Sequence, residues 1–219
     1  MDTTGLARGI DVNHDDGDID WAAVLNSGIS FAFCKASQGA AFVDPRFASN
    51  WDNLGQVGLT RGAYHFWDAS NGAGGADQAN HFLAQFVPSA TDLPSVLDFE
   101  VTGGLSDDDS RLNAQHWLDA VEQATGKTPI IYGPRDLLAQ VFGPDSSFAR
   151  YPLWLAHPGD DPGPVPAPWA AITIWQAAYG EIDQGKPGAG WQVPGCPDPV
   201  DGDYFMLGDH TALVAYFGL

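Results

Sequence analysis

Two carboxyl groups two residues apart, at the end of an apolar run, are the first chemical signal in this 219-residue chain. In Val96-Leu97-Asp98-Phe99-Glu100 alternate residues of an extended strand share a face, so Asp98 and Glu100 point one way and Leu97 and Phe99 the other. Two neighbouring carboxyls raise the pKa of at least one. An acid kept protonated beside an ionised partner is what protonation of a glycosidic oxygen near neutral pH requires. A solvated acidic strand end is the other reading of so short a pattern. The setting favours chemistry, because Asp11 lies near the end of Arg8-Gly-Ile-Asp-Val12 and Asp201 opens the run from Val200 to Phe205.

Positioning such groups requires a framework, and short β-rich runs recur along the chain with helical patterns between the early ones. The runs are Arg8 to Val12, Ser30 to Lys35, Arg61 to Phe66, Ser95 to Glu100, Pro129 to Tyr132, Pro152 to Ala156, Ile172 to Gln176 and Val200 to Phe205. Asp20 is placed to cap a helix over Trp21 to Ser27, with Trp21, Val24 and Leu25 on one face and Gly28 as its exit. Ala79, Phe82, Leu83 and Phe86 form an i, i+3, i+4, i+7 stripe over Ala76 to Phe86, and Ala114, Trp117, Leu118 and Val121 repeat it over Asn113 to Ala124. A further helix is expected around Pro134 to Phe142. Segments 157–171 and 177–199 are rich in Pro and Gly, so the last quarter reads as strands joined by loops. The expected fold class is α/β: eight strands in a (β/α) barrel with an incomplete outer ring, and a doubly wound open sheet as the alternative. In a barrel, the active site gathers at the C-terminal strand ends, where these acids fall.

Composition narrows the function. Lys plus Arg number 9 against 28 Asp plus Glu, a net charge of −19, which excludes nucleic acid as a partner. Nothing approaches the roughly 20 apolar residues of a membrane span, and the first residues lack the basic and apolar regions of a signal peptide. Cys34 sits in an apolar run and Cys196 among prolines, so two separate thiols are expected. No metal site is expected: Cys and His lack metal-ligand spacing, and the acidic run from Asp11 to Asp20 has Asp16 and Ala22 where a calcium loop needs Gly and Glu. The acidic Asp107-Asp-Asp109 precedes a helix, where its charge favours the dipole.

Seven segments in order resemble those of the glycoside hydrolase family 25 lysozymes. They are Gly9-Ile-Asp-Val12, Phe33-Cys-Lys-Ala-Ser-Gln-Gly39, Arg61-Gly-Ala-Tyr-His-Phe66, Leu97-Asp-Phe-Glu100, Leu153-Trp-Leu-Ala156, Ile174-Trp-Gln176 and Val200-Asp-Gly-Asp203. The resemblance implies a single catalytic domain over residues 1–219, an irregular barrel of eight strands and about five helices. Its implied activity is hydrolysis of the β-1,4 bond between N-acetylmuramic acid and N-acetylglucosamine in peptidoglycan, without a cofactor and outside the cytoplasm. Carried over by position, Glu100 is the general acid. Asp98 is the carboxylate that supports attack by the substrate's own 2-acetamido group, with retention, and Asp11 and Asp201 are supporting acids. Gln38 departs from the family pattern, which has an acid there, and His157 stands where an aromatic residue is common.

Tyr64, Trp67, Tyr132, Trp154 and Trp175 fall at or near strand ends, where rings can stack on sugars or pack in the core. Tyr64 and Tyr132 match cleft tyrosines of the family, and Trp154 and Trp175 join them as substrate-binding candidates. Lys35 is a further candidate, or else an ion-pair partner of Asp11 or Asp201. His14 and His65 read as structural. The expected partner is the glycan strand of peptidoglycan, met by a monomer without membrane insertion. A non-catalytic glycan-binding barrel is the rival from another class. A chitinase-like enzyme is less favoured, because Ser95-Val-Leu stands where its longer acidic ladder would be.

Overall fold

The computed structural model describes residues 1–182 and 184–219. Nine strands alternate with six α-helices: β1 Ala7–Val12, α1 Trp21–Asn26, β2 Phe31–Gln38, β3 Phe42–Val43, α2 Phe47–Val57, β4 Thr60–Phe66, α3 Gly75–Leu83, β5 Val96–Asp98, α4 Asp107–Thr125, β6 Ile130–Pro134, α5 Arg135–Phe142, β7 Leu153–Ala156, β8 Ile174–Ala178, β9 Asp201–Phe205 and α6 His210–Phe217. In the order β1-β9-β8-β7-β6-β5-β4-β2 the strands close through a β1–β2 pairing, and β3 adds to the edge of β2. This is the expected irregular barrel rather than an open sheet.

Seven barrel strands are parallel, whereas β9 runs antiparallel to both β1 and β8. The cause lies in the preceding connection. A crossover helix would return the chain to the bottom of the barrel, but the Pro- and Gly-rich segment between β8 and β9 brings it back to the end of β8, where Ala178 pairs with Gly202. β9 therefore starts at the mouth and descends, which is why Asp201 opens its strand yet lies level with Asp11, its register partner.

Strand alternation separates two cores. Inside the barrel sit Phe31, Phe33, Val96, Ile130, Ile174 and Phe205, all fully buried. Gly9 and Gly62 make room for them, since a Cβ on either would lie 2.1–2.3 Å from the Phe31 or Phe33 ring. Behind the strands, Ile10, Cys34, Leu97, Phe99, Ile131, Leu155 and Trp175 pack against helix residues such as Val24, Phe82, Trp117 and Leu118.

Asp20 caps α1 as expected, accepting from Ala22 and Ala23 N–H, but Leu25 is 37% exposed and only Trp21 and Val24 face inward. The acidic triplet Asp107–Asp109 forms the first turn of α4, with Ser106 as its cap, rather than preceding the helix. Two helices lie outside the expected set. α2 contains Ser49, Asn50, Asp52, Asn53 and Gly55, all poor helix formers, and Arg46 makes no side-chain cap; packing of Phe47, Trp51 and Leu54 holds it. α6 is almost uniformly apolar and so shows little helical period, but Asp209 caps it through Ala212 N–H, and Leu213 plugs the bottom of the barrel beside Phe205. The last quarter thus ends in a helix. Cys34 and Cys196 are separate thiols, and among the described residues no helix is long and apolar enough to cross a membrane.

Candidate active site

At the mouth a cleft of about 190 Å³ is lined by Asp11, Lys35, Tyr64, Phe66, Asp98, Glu100, Tyr132, Trp154, Glu181 and Asp201, among others. Alternation delivers most of these side chains, since Tyr64 and Phe66 on β4, Tyr132 on β6 and Trp154 on β7 occupy inward positions. On β5, Asp98 points inward while Leu97 and Phe99 join the outer core, as the strand pattern predicts. Glu100 follows two residues on, beyond the last strand residue, and is exposed at the rim.

A bulge shapes the β2 side. Register shifts between Lys35 and Ser37, so Ala36 packs in the outer core and Ser37 bonds there to His65 (2.9 Å). Lys35 and Gln38 then meet, the Lys35 ammonium donating to Gln38 Oε1 at 2.9 Å and lying 4.8 Å from the Phe66 ring centroid. The expected ion pair of Lys35 with Asp11 or Asp201 does not form, because a neutral amide takes its place. His65 is fully buried. Gln78 spends its Nε2 on the carbonyls of Asp68 and Ala73, so its Oε1 accepts from His65 Nε2 (3.1 Å), and burial drives the imidazole pKa down to about 3. Its neutral role is structural. His14, meanwhile, bonds to buried Asp44 at 2.8 Å.

Gln176 ties the remaining acids together. Its Nε2 donates to Asp11 Oδ2 (2.7 Å) and Asp201 Oδ2 (3.0 Å), while its Oε1 accepts from the Tyr132 hydroxyl (2.7 Å). Asp201 Oδ1 also accepts from Gly180 N–H at 2.6 Å. Asp203, fully buried, accepts from Trp154 Nε1 at 2.9 Å. Gln176, Asp203, Phe66 and Glu181 are candidate-site residues that sequence reasoning passed over. The rule that paired Asp98 with Glu100 also pairs Asp201 with Asp203, and it turns Gln176 inward once Trp175 is outward.

Trp175 is not brought to this cleft. Its indole packs behind β8 beside Tyr204, with centroids 5.8 Å apart, and donates to the His157 carbonyl at 2.8 Å. Trp67 likewise stacks on Phe99 in the outer layer. Trp154 and both tyrosines do line the cleft.

Burial and mutual repulsion raise the pKa values of the acids at the mouth. Asp98 is raised well above its ordinary value, first by burial and then by the charge of Glu100, with Lys35 opposing. Although Glu100 reaches the rim, protein packed around its carboxyl partly desolvates and raises it, while Asp98 and the charge of Lys35 hold it lower. Of the two, Asp98 is therefore the more strongly raised. Burial raises Asp11 and Asp203, with their neighbours' charges adding, and lifts Asp201 to about 7 against the Gly180 hydrogen bond. Among the described residues no group of His, Cys, Asp and Glu has the geometry to hold a metal ion.

Residues 10–185 match the family model described as glycosyl hydrolases family 25. The uncharacterized protein YegX of Escherichia coli K12 is 38% identical over 209 residues, covering 90% of this chain and 69% of its own. Lysozyme M1 of Streptomyces globisporus is 32% identical over 203 residues, covering 84% and 68%. The crystal structure of a bacterial lysozyme from Streptomyces coelicolor superposes with a TM-score of 0.87 at 30% identity, covering 99% of this chain and 98% of that one.

Proposed function

The chain belongs to family 25 of the glycosyl hydrolases, and on that premise we propose that it is an N-acetylmuramidase whose Asp98–Glu100 pair cleaves the β-1,4 bond after N-acetylmuramic acid in peptidoglycan. The observation that carries this reading is the carboxyl pair itself, buried Asp98 and rim Glu100 two residues apart at the mouth of a cleft lined by tyrosines and a tryptophan, both with raised pKa values. An inert glycan-binding barrel has no use for the buried Asp98, because burying a carboxyl destabilises the fold.

In the free site the shared proton rests on Asp98. A sugar seated over Glu100 strips water from its carboxylate and offers an acetamido N–H to Asp98, and both changes move the proton to Glu100. Glu100 then protonates the glycosidic oxygen as the bond to the anomeric carbon breaks. The acetamido carbonyl oxygen attacks that carbon, closing a five-membered ring whose cationic nitrogen keeps its proton against the Asp98 carboxylate. Water, losing a proton to Glu100, then opens the ring and yields a retained product. No protein nucleophile is involved, a recognised exception to the two-carboxylate scheme. Asp11 and Asp201, held by Gln176, keep the floor of the cleft in place, and Tyr64, Tyr132 and Trp154 contact the sugar. The Tyr132 proton is committed to Gln176, so its oxygen faces substrate as an acceptor.

Residues 1–219 act as one catalytic domain, a monomer working on the wall outside the cytoplasm, with no cofactor. Reducing-end release from purified Gram-positive peptidoglycan, run beside chitin oligomers, tests the reading. Reduction of the new ends should yield muramicitol. Binding of both glycans without release of ends would leave only the glycan-binding barrel.

A further inference from the structure

The cleft sets a single cationic side chain among acidic ones. Five of the carboxyl-bearing residues, Asp11, Asp98, Glu100, Glu181 and Asp201, line it, and Lys35 is the one cationic residue lining it among those described. Among the described residues, no carboxylate forms an ion pair with that ammonium. Its hydrogen-bond partner is the neutral Gln38 amide, and its flanks are the rings of Phe66 at 4.8 Å and, farther off, the 41%-exposed Phe42 at 5.9 Å. The β2 bulge creates this arrangement by turning Lys35 and Gln38 to the same side. A cation held by a neutral amide against aromatic faces suits an anionic group carried on a sugar.

The proposed reaction leaves a question that such a site answers. Both sugars of the repeat carry a 2-acetamido group, so the Asp98–Glu100 pair and acetamido attack accept either β-1,4 bond equally well. What distinguishes the muramyl residue is the 3-O-lactyl arm. It ends in a carboxylate in stripped strands and carries the carboxylates of a stem peptide in intact wall. We propose, building on the muramidase reading, that Lys35 binds a carboxylate on this arm and thereby sets the register of the strand, so that the bond after each muramyl residue meets Glu100. The surrounding carboxylates reinforce the choice, since a strand shifted by one sugar takes its negative charge away from Lys35 and toward them.

Three forms of one glycan test this: strands stripped of peptide with free lactyl carboxylates, the same strands coupled to methylamine so that the arm is neutral, and intact peptidoglycan. For the wild type, KM on the carboxylate strands should lie roughly tenfold below KM on the methylamide strands, the size of one hydrogen bond to a charged group. Lys35→Met should erase that difference by raising KM on the carboxylate strands alone, and should release some N-acetylglucosamine reducing ends. Lys35→Arg should keep the preference. A preference found only with intact peptidoglycan would assign the carboxylate to the stem peptide. Equal KM values for the wild type on all three glycans would overturn the proposal without recourse to a variant. So would a Lys35→Met loss that is equal on charged and neutral strands and falls in kcat with a shifted pH profile, which would mean that Lys35 acts on Asp98 and Glu100. Absence of cleavage of any glycan by the wild type would instead sink the muramidase reading.

Discussion

Gln176 and Trp175 are neighbours on β8, both buried, and opposite in kind. Trp175 faces the helices, donates its one proton to a backbone carbonyl and packs against rings. Gln176 faces the barrel mouth and spends its amide on two carboxyls and a phenol. The contrast extends around the barrel. Among the described residues, the buried side-chain polar atoms without a partner are Trp67 Nε1, Ser110 Oγ and Trp117 Nε1 in the outer layer, and Asp98 Oδ1 and Asp203 Oδ2 inside. The outer ones are neutral donors among apolar or aromatic neighbours. The inner ones are carboxyl oxygens, which are far harder to bury when ionised. One face of each strand thus packs the outer core, and the other carries the buried acids of the candidate site.

Substitutions on the two faces should therefore have opposite signatures. Leu118, fully buried on α4, belongs to the outer layer. Leu118→Ala should lower the unfolding free energy by about 3 kcal/mol, seen as a lower denaturant midpoint, while KM of the folded enzyme stays unchanged. A changed KM would break the division between the faces. Gln176→Leu should lower kcat by roughly 10- to 100-fold through loss of hydrogen bonds to charged groups, and should move the pH profile upward, because Asp11 loses a hydrogen bond that favours its ionised form. Gln176→Glu sharpens the test: its carboxyl can donate only when protonated, so activity should return at low pH and fade as pH rises. A Gln176→Glu profile identical to wild type would remove Gln176 from the network.

The smallest effect has the opposite sign. Asp203 binds its proton more tightly folded than unfolded, so its contribution to stability falls as pH rises above the ordinary carboxyl value of 3.8. Asp203→Asn does not titrate there, and its amide can still accept from Trp154 while donating toward Asp11. Thermal unfolding at pH 8 should show a gain of about 1 kcal/mol, or roughly 2–4 °C, shrinking to nothing near pH 4. A loss of stability at pH 8 would mean that the inner acids hold the fold together.

Much of this division is legible in the sequence, because alternation alone sorts Asp98 and Glu100 from Leu97 and Phe99. It is less legible where a local event resets the period. The bulge after Lys35 leaves no mark in Lys35-Ala-Ser-Gln38, so no pattern in the sequence encodes the partnership of Lys35 with Gln38. Trp175 was misplaced for a related reason: an aromatic residue near a strand end suits either face, and only the inward demand of Gln176 decides. α2 was hidden because its residues disfavour a helix that tertiary packing nevertheless holds. The direction of β9 follows from a long loop, whose path no short-range pattern encodes.

The central claim, that Glu100 delivers the proton at the mouth, is tested most directly by steady-state hydrolysis of purified peptidoglycan by wild type and Glu100→Gln. Loss of a general acid should reduce kcat by about 10²- to 10⁴-fold with KM close to the wild-type value, since glutamine preserves the shape of the rim. A Glu100→Gln enzyme that releases muramyl ends at the wild-type rate would contradict it and move the acid elsewhere among the mouth carboxyls.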